Sequence, residues 1–225
     1  LRTGGFALPH DGGDLTTAVH RCVGVGKCRA DSSASGGFMC PSYLATGDEK
    51  DSTRGRARVL QELANGSLVH GWDSPEVEES LDLCLSCKAC GSDCPAGVDM
   101  ATYKSEVTHR RYRGKVRPVA HYALGWLPRW ARLVTALPPV AALANAALRL
   151  GPLRRLVLAG GGMDTRRQVP RFSTERFSRW FRRRPAGPEA DAAPREVLLW
   201  VDSFSETMST AGARAMVELL TDAGY

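Results

Sequence analysis

Residues Leu83–Pro95 read LCLSCKACGSDCP. Cys84, Cys87, Cys90 and Cys94 stand at the intervals C-x2-C-x2-C-x3-C, and Pro95 follows the last of them. Three thiols two residues apart can fold around one corner of an iron–sulfur cluster, while the turn fixed by the proline carries the fourth to a second site. Zinc sites favour paired C-x2-C knuckles separated by a longer spacer, which this run lacks. The spacing therefore predicts a [4Fe–4S] site.

Upstream lies a partner group. Cys22 and Cys28 are six apart, as Cys84 and Cys90 are, and Cys40-Pro41 takes the part of Cys94-Pro95. At the position of Cys87 this group has Val25. The chain thus holds a degenerate internal repeat with one thiol missing. In two-group ferredoxin logic the fourth cysteine of each group crosses over. One [4Fe–4S] cluster is then expected on Cys84, Cys87, Cys90 and Cys40. A second site keeps only Cys22, Cys28 and Cys94, a set that suits [3Fe–4S], or [4Fe–4S] with another fourth ligand or an open iron, or no cluster. His20 is a candidate for that fourth place, although a lone histidine near a cluster is more often a hydrogen-bond donor. All seven cysteines are candidate metal-binding residues. No catalytic constellation accompanies them: the chain has no G-x-S-x-G elbow, no P-loop and no H-E-x-x-H.

The segments around the cysteines read as helices. Thr16 to Cys22 leads into the first group. Ser52 or Thr53 caps a helix whose apolar positions run Ala57, Leu60, Leu63 and Ala64 up to Gly66. Ser74-Pro75-Glu76 opens the helix that delivers Cys84, and Asp99 caps a third that ends near Gly114. Val119 to Leu158 is apolar and helical, interrupted at Pro128, Pro138-Pro139 and Gly151-Pro152; its uncharged runs are shorter than a membrane span needs. Ser173 is read as the cap of a short helix within Arg167 to Trp180, and Arg184 to Arg195 has linker composition. Glu196 to Phe204, EVLLWVDSF, has the continuous apolar character of a buried parallel strand, with an amphipathic helix, Thr210 to Ala223, behind it. The expected class is mainly α. Residues 1–115 form an α-helical ferredoxin-like cluster domain, 116–183 a helical extension and 184–195 a linker. Residues 196–225 supply the first β-α unit of an incomplete α/β cysteine-rich domain.

Composition narrows the context. Hydrophobic residues make up 43% of the chain, enough for a packed core. The cysteines are confined to the first 94 residues, unlike a disulfide scaffold, and no basic start with an apolar core opens the sequence. A reducing, cytoplasmic location is expected. The chain opens on Leu1 and ends directly after a helical pattern, so it reads as part of a longer protein. Met163 to Arg184 holds eight arginines against Asp164 and Glu175, which accounts for the whole formal charge of +6. Such a run is usually a solvated or docking face, and no nucleic-acid reader motif accompanies it.

Three stretches carry a family resemblance: RCVGVGKCR, MCPSYLATGDEKDSTRGRAR and LDLCLSCKACGSDCPAGVDMATYKSE. They resemble the iron–sulfur part of FAD-linked 2-hydroxy acid dehydrogenases. In these an oxidase module of the D-lactate or D-2-hydroxyglutarate dehydrogenase kind is joined to a module like the glycolate oxidase iron–sulfur subunit. The block Ser52-Thr53-Arg54-Gly55-Arg56-Ala57 and the run Val98-Asp99-Met100-Ala101-Thr102-Tyr103-Lys104 point to this flavin-linked group. Heterodisulfide reductase and anaerobic glycerol-3-phosphate dehydrogenase iron–sulfur subunits share the double cysteine motif and are the alternative. The resemblance implies a flavoprotein oxidoreductase in which electrons pass from FAD, held in a preceding module, through the cluster to a quinone or electron carrier. It implies partnership with that FAD-binding oxidase module, fused or separate, and is compatible with a homo-oligomer and with peripheral contact at the inner membrane face.

Overall fold

A computed structural model describes residues 8–31, 34, 36, 39–184 and 196–225. The chain forms two compact units, Leu1–Val116 and Arg117–Tyr225.

The first unit is built around one helix. Among its described residues six α-helices follow in order: α1 Leu15–Val19, α2 Pro41–Thr46, α3 Thr53–Asn65, α4 Pro75–Asp82, α5 Ala89–Asp93 and α6 Met100–Arg111. Helix α3 touches α1, α4 and α6. It begins where the sequence places it, because the Ser52 hydroxyl accepts from the Gly55 amide at 2.9 Å, and it ends at Gly66 in the left-handed region. The core on its flanks comprises Leu15, Ala18, Val19, Ala57, Leu60, Val77, Leu81, Val98, Met100, Tyr103 and Val107. Buried polar groups tie this core to the cysteine loops. The Gln61 amide donates to the carbonyls of Val19 (2.9 Å) and Cys22 (3.2 Å). The Tyr103 hydroxyl donates to the Ala18 carbonyl at 2.8 Å, and Lys104 Nζ to the Cys84 carbonyl at 2.7 Å. The Ala18 and Val19 carbonyls also accept from the Arg21 and Cys22 amides, so the side chains add a second bond at the end of α1.

The second unit is also helical: α7 Val119–Gly125, α8 Leu127–Val134, α9 Pro138–Arg149, α10 Gly151–Gly160, α11 Phe177–Arg183, α12 Ser203–Thr207 and α13 Thr210–Asp222. Pro128, Pro138 and Pro152 each fall in the first turn of a helix, where a missing amide hydrogen costs nothing, so the prolines divide the apolar stretch into separate helices. Several residues of the arginine-rich segment hold this unit together. Arg176 donates to Thr135 Oγ1 at 3.1 Å, Arg179 to the Ala136 carbonyl at 2.7 Å and Arg184 to Thr221 Oγ1 at 2.9 Å.

Two readings of this half are corrected. The β-α unit expected over 196–225 does not form: Glu196 to Val201 takes up no regular secondary structure, and the described residues contain no strand. An apolar run becomes a strand only when a neighbour takes its amide and carbonyl groups, and here Leu198 and Trp200 are 90% and 87% exposed. Asp202 instead caps α12, accepting from the amides of Phe204 (2.7 Å) and Ser205 (3.1 Å). The helix expected with Ser173 as its cap starts later, at Phe177; the Ser173 hydroxyl closes a local turn on Glu175. The expected linker lies, from residue 185 onward, outside the described residues.

Candidate iron–sulfur site

The seven cysteines are free thiols, and they ring two cavities in the first unit. The first is lined by Cys40, Cys84, Cys87 and Cys90 together with Ser42, Thr53, Arg56 and Lys88. The second is lined by Cys22, Cys28 and Cys94 with Val23, Gly24, Val25, Gly26 and Lys27. So Cys40 stands with the downstream three, and Cys94 with the upstream pair. Val25 borders the second cavity and is 63% exposed. His20 does not line it; a ring nitrogen lies 2.7 Å from the Thr16 carbonyl at the end of α1. Among the described residues no three His, Cys, Asp or Glu side chains close around a single metal ion. A four-iron cluster takes each thiolate on a different iron, so its ligands stand wider apart than around one ion.

Local backbone geometry explains how each cavity is shaped. Around the first, Cys40, Ser86 and Lys88 adopt left-handed conformations, with φ of 58°, 52° and 63°. Each such non-glycine residue costs about 1–3 kcal/mol and persists only where its surroundings hold it. Around the second, the left-handed positions go to Gly24 and Gly26, at φ 83° and 81°, which adopt them without a Cβ penalty.

Helix N-termini face the thiols. The Thr53 amide donates to Cys40 Sγ at 2.9 Å, and the next amide, that of Arg54, donates to Cys28 Sγ at 3.3 Å. One helix start thus serves both cavities, and Thr53 lines both. At the start of α6 the Met100 amide donates to Cys90 Sγ at 3.3 Å. Burial pushes the Cys28 thiol up, opposed by the Arg54 amide, and pushes the Cys90 thiol up, opposed by the amides of Met100 and Ala101. The α6 cap, Asp99, is desolvated too, but hydrogen bonds from Lys88 (2.7 Å) and Thr102 outweigh that and hold its carboxyl below the usual range. The arrangement fits an anionic cluster: soft thiol ligands, amide hydrogens aimed at sulfur, and cationic Arg56 and Lys88 at the rim.

This donor set agrees with what the sequence matches: residues 18–98 fit the family model described as the 4Fe-4S dicluster domain. The matched residues lie within the first unit. That match spans both cysteine groups. Among curated proteins, the chain is 36% identical over 85 residues to the glycolate oxidase iron–sulfur subunit of Escherichia coli (strain K12), covering 38% of this chain and 18% of the relative. It is 26% identical to the D-2-hydroxyglutarate dehydrogenase of Pseudomonas putida (strain KT2440), covering 94% of this chain and 24% of the relative. A probable glycolate oxidase iron–sulfur subunit of Bacillus subtilis (strain 168) is 43% identical over 60 residues, 26% of this chain and 13% of the relative. The chain spans no more than about a quarter of these curated relatives. They are oxidoreductases, and the resemblance read from the three cysteine-bearing stretches leads to the same group. No solved structure matches the chain.

Sequence reading assigned Arg56 no chemical role. The signal was present: Arg56 sits beside Ala57 on the face of α3 that carries Leu60, and a charged residue on an apolar face needs a buried partner. The fold supplies the Ser80 carbonyl and the Ser42 hydroxyl.

Proposed function

We propose that this chain is the iron–sulfur electron-transfer part of a flavin-dependent dehydrogenase that oxidises a D-2-hydroxy acid of the lactate, glycolate or 2-hydroxyglutarate class. The observation that carries the reading is the ring of Cys40, Cys84, Cys87 and Cys90 around one cavity, with backbone amides on the sulfurs of Cys40 and Cys90. These four cysteines would hold a [4Fe–4S] cluster, and Cys22, Cys28 and Cys94 a second cluster with one iron short of a thiolate. When bound, such a cluster accepts and releases one electron at a time. Oxidation of the hydroxy acid to the keto acid releases two electrons and two protons; a flavin in a separate module takes the pair, and the chain described here carries the electrons away singly to a quinone or an electron carrier. The residues contributed by this chain fix the thiols and shield them.

The test is Cys87→Ser in the chain reconstituted with iron and sulfide. Loss or conversion of one cluster signal, with the broad absorbance near roughly 400 nm reduced, supports the ligand set. An unchanged iron content and an unchanged spectrum would sink it. In the complete enzyme the same substitution leaves flavin reduction by substrate intact and stops acceptor reduction.

The reading extends to an anionic membrane surface as the place where the second unit docks, on the cytoplasmic side. Between Glu106 and Asp164 the chain has no acidic residue, while Arg117, Arg129, Arg132, Arg149, Arg154 and Arg155 fall there. Tyr122, Trp126 and Trp130 form an exposed aromatic ladder with ring centroids 6.3 and 6.1 Å apart. Aromatic side chains flanked by cations suit the lipid headgroup region. Among the described residues no single helix is long and apolar enough to cross a membrane.

A further inference from the structure

The guanidinium of Arg56 is buried beside the first cavity, in the residue 1% exposed. Its Nε donates to the Ser80 carbonyl at 2.6 Å and its Nη2 to Ser42 Oγ at 2.9 Å. Its Nη1 points at Cys40 Sγ, 3.7 Å away. The nearest carboxylate is Asp51, also 1% exposed, at 3.7 Å from Nη2. That separation is longer than the roughly 2.7–2.9 Å of a charge-assisted hydrogen bond. Asp51 spends one oxygen on Thr46 Oγ1 at 2.8 Å, and the other, Oδ1, accepts no hydrogen bond.

A buried charge is costly unless compensated, and here compensation by protein groups is partial. Two of the three guanidinium contacts are to neutral oxygens, and the third is to a sulfur of the cavity. Sulfur hydrogen bonding and nearby charge are the levers by which a protein moves a cluster's reduction potential. Adding an electron to a cluster adds negative charge, which a neighbouring cation favours and a neighbouring carboxylate opposes.

We propose that Arg56 is a positioning residue that makes the cluster held by Cys40, Cys84, Cys87 and Cys90 easier to reduce, and that Asp51 acts on the same cluster in the opposite sense. The assignment rests on the ligand set proposed above. It gives the Ser52–Ala57 block, so far only a mark of resemblance, a chemical duty: one turn of helix brings the Thr53 amide, the Thr53 hydroxyl at 3.1 Å and the Arg56 guanidinium to a single sulfur.

The experiment is a potentiometric titration followed by EPR on the reconstituted 225-residue chain. The relevant signal is the one that Cys87→Ser removes. Arg56→Gln shifts the reduction equilibrium toward the oxidised form by about tenfold or more, about 59 mV for a one-electron couple. Asp51→Asn shifts it the other way, and Arg56→Lys, which keeps the charge, moves it less than Arg56→Gln does. Disturbed packing would move both charge-removing variants in one direction or neither; either result overturns the proposal. Should Arg56→Gln fail to fold, Asp51→Asn decides: a rise in potential supports the proposal, and no rise rejects it. Failure of the underlying ligand reading looks different, because the unaltered chain would then show no cluster signal that depends on Cys87.

Discussion

At the scale of single residues, the cysteine sets of the two cavities differ by one thiol. Val25 stands where the downstream group has Cys87, and it borders the second cavity from an exposed loop. Val25→Cys therefore offers a fourth thiol without disturbing the core. The expected result is a changed EPR signature for the second site, with the signal tied to Cys87 untouched; an unaltered spectrum would mean that no cluster occupies that cavity. A second residue-scale expectation concerns Tyr103. Burial, with help from the Asp11 carboxylate, pushes its phenol up to about 12 from 10.0. The folded state therefore holds this proton more tightly than the unfolded chain does. Its contribution is complete below pH 10 and is lost as pH rises through about 12, at most about 3 kcal/mol. Tyr103→Phe should cost roughly 1 kcal/mol at neutral pH, by removing the bond to the Ala18 carbonyl, and should flatten that alkaline decline in urea denaturation curves. Cysteine spacing made the candidate ligands legible in the sequence because iron–sulfur chemistry restricts both residue type and interval. The duty of Arg56 was not legible, since its partners Ser80 and Cys40 lie 24 and 16 residues away and only folding brings them to it.

At the scale of elements, α3 decides the geometry of both cavities, and its start is fixed by two small residues. Ser52→Ala removes the cap on the Gly55 amide and should destabilise the domain by about 1 kcal/mol. Gly55→Ala should be worse: a Cβ there would lie 2.0 Å from the Glu49 carbonyl oxygen, a backbone atom that cannot step aside. Overpacking of this kind costs about 1–3 kcal/mol or more. The melting temperature of Gly55→Ala should fall below that of Ser52→Ala, and its iron content after reconstitution should drop, because the displaced turn carries the Thr53 and Arg54 amides away from sulfur. Equal stability of the two variants would contradict the role given to that contact. Helix boundaries were readable where capping chemistry is local, as at Ser52, Asp99, Pro138 and Pro152. The segment Glu196 to Val201 misled because apolar, β-branched composition specifies a strand only together with a neighbour to bond to.

At the scale of the molecule, each unit has its own physical character. The first buries its apolar residues around α3; the second leaves Leu143, Leu156 and the Trp126–Trp130 ladder in contact with solvent. Co-sedimentation with vesicles should separate the readings of that surface. Binding to phosphatidylglycerol vesicles, weak binding to phosphatidylcholine, and release by salt are expected from cations beside aromatic anchors. Trp126→Ser together with Trp130→Ser should abolish it, while cluster spectra remain as they were. Indifference to lipid charge would remove the case for a membrane and leave the surface to a protein partner. The exposure of the thiols in the first cavity has a consequence of its own. Cys40 and Cys90 are buried, Cys84 is half-buried and Cys87 is exposed, with Lys88 beside it. On the proposed ligand set the first cavity therefore has a front. Tunnelling weakens steeply with each ångström of intervening matter, and the thin side is the one at Cys87. A redox partner that docked against Cys87 would exchange electrons faster than one held off by the buried thiols, so the proposed wiring would set the orientation of a productive encounter in advance.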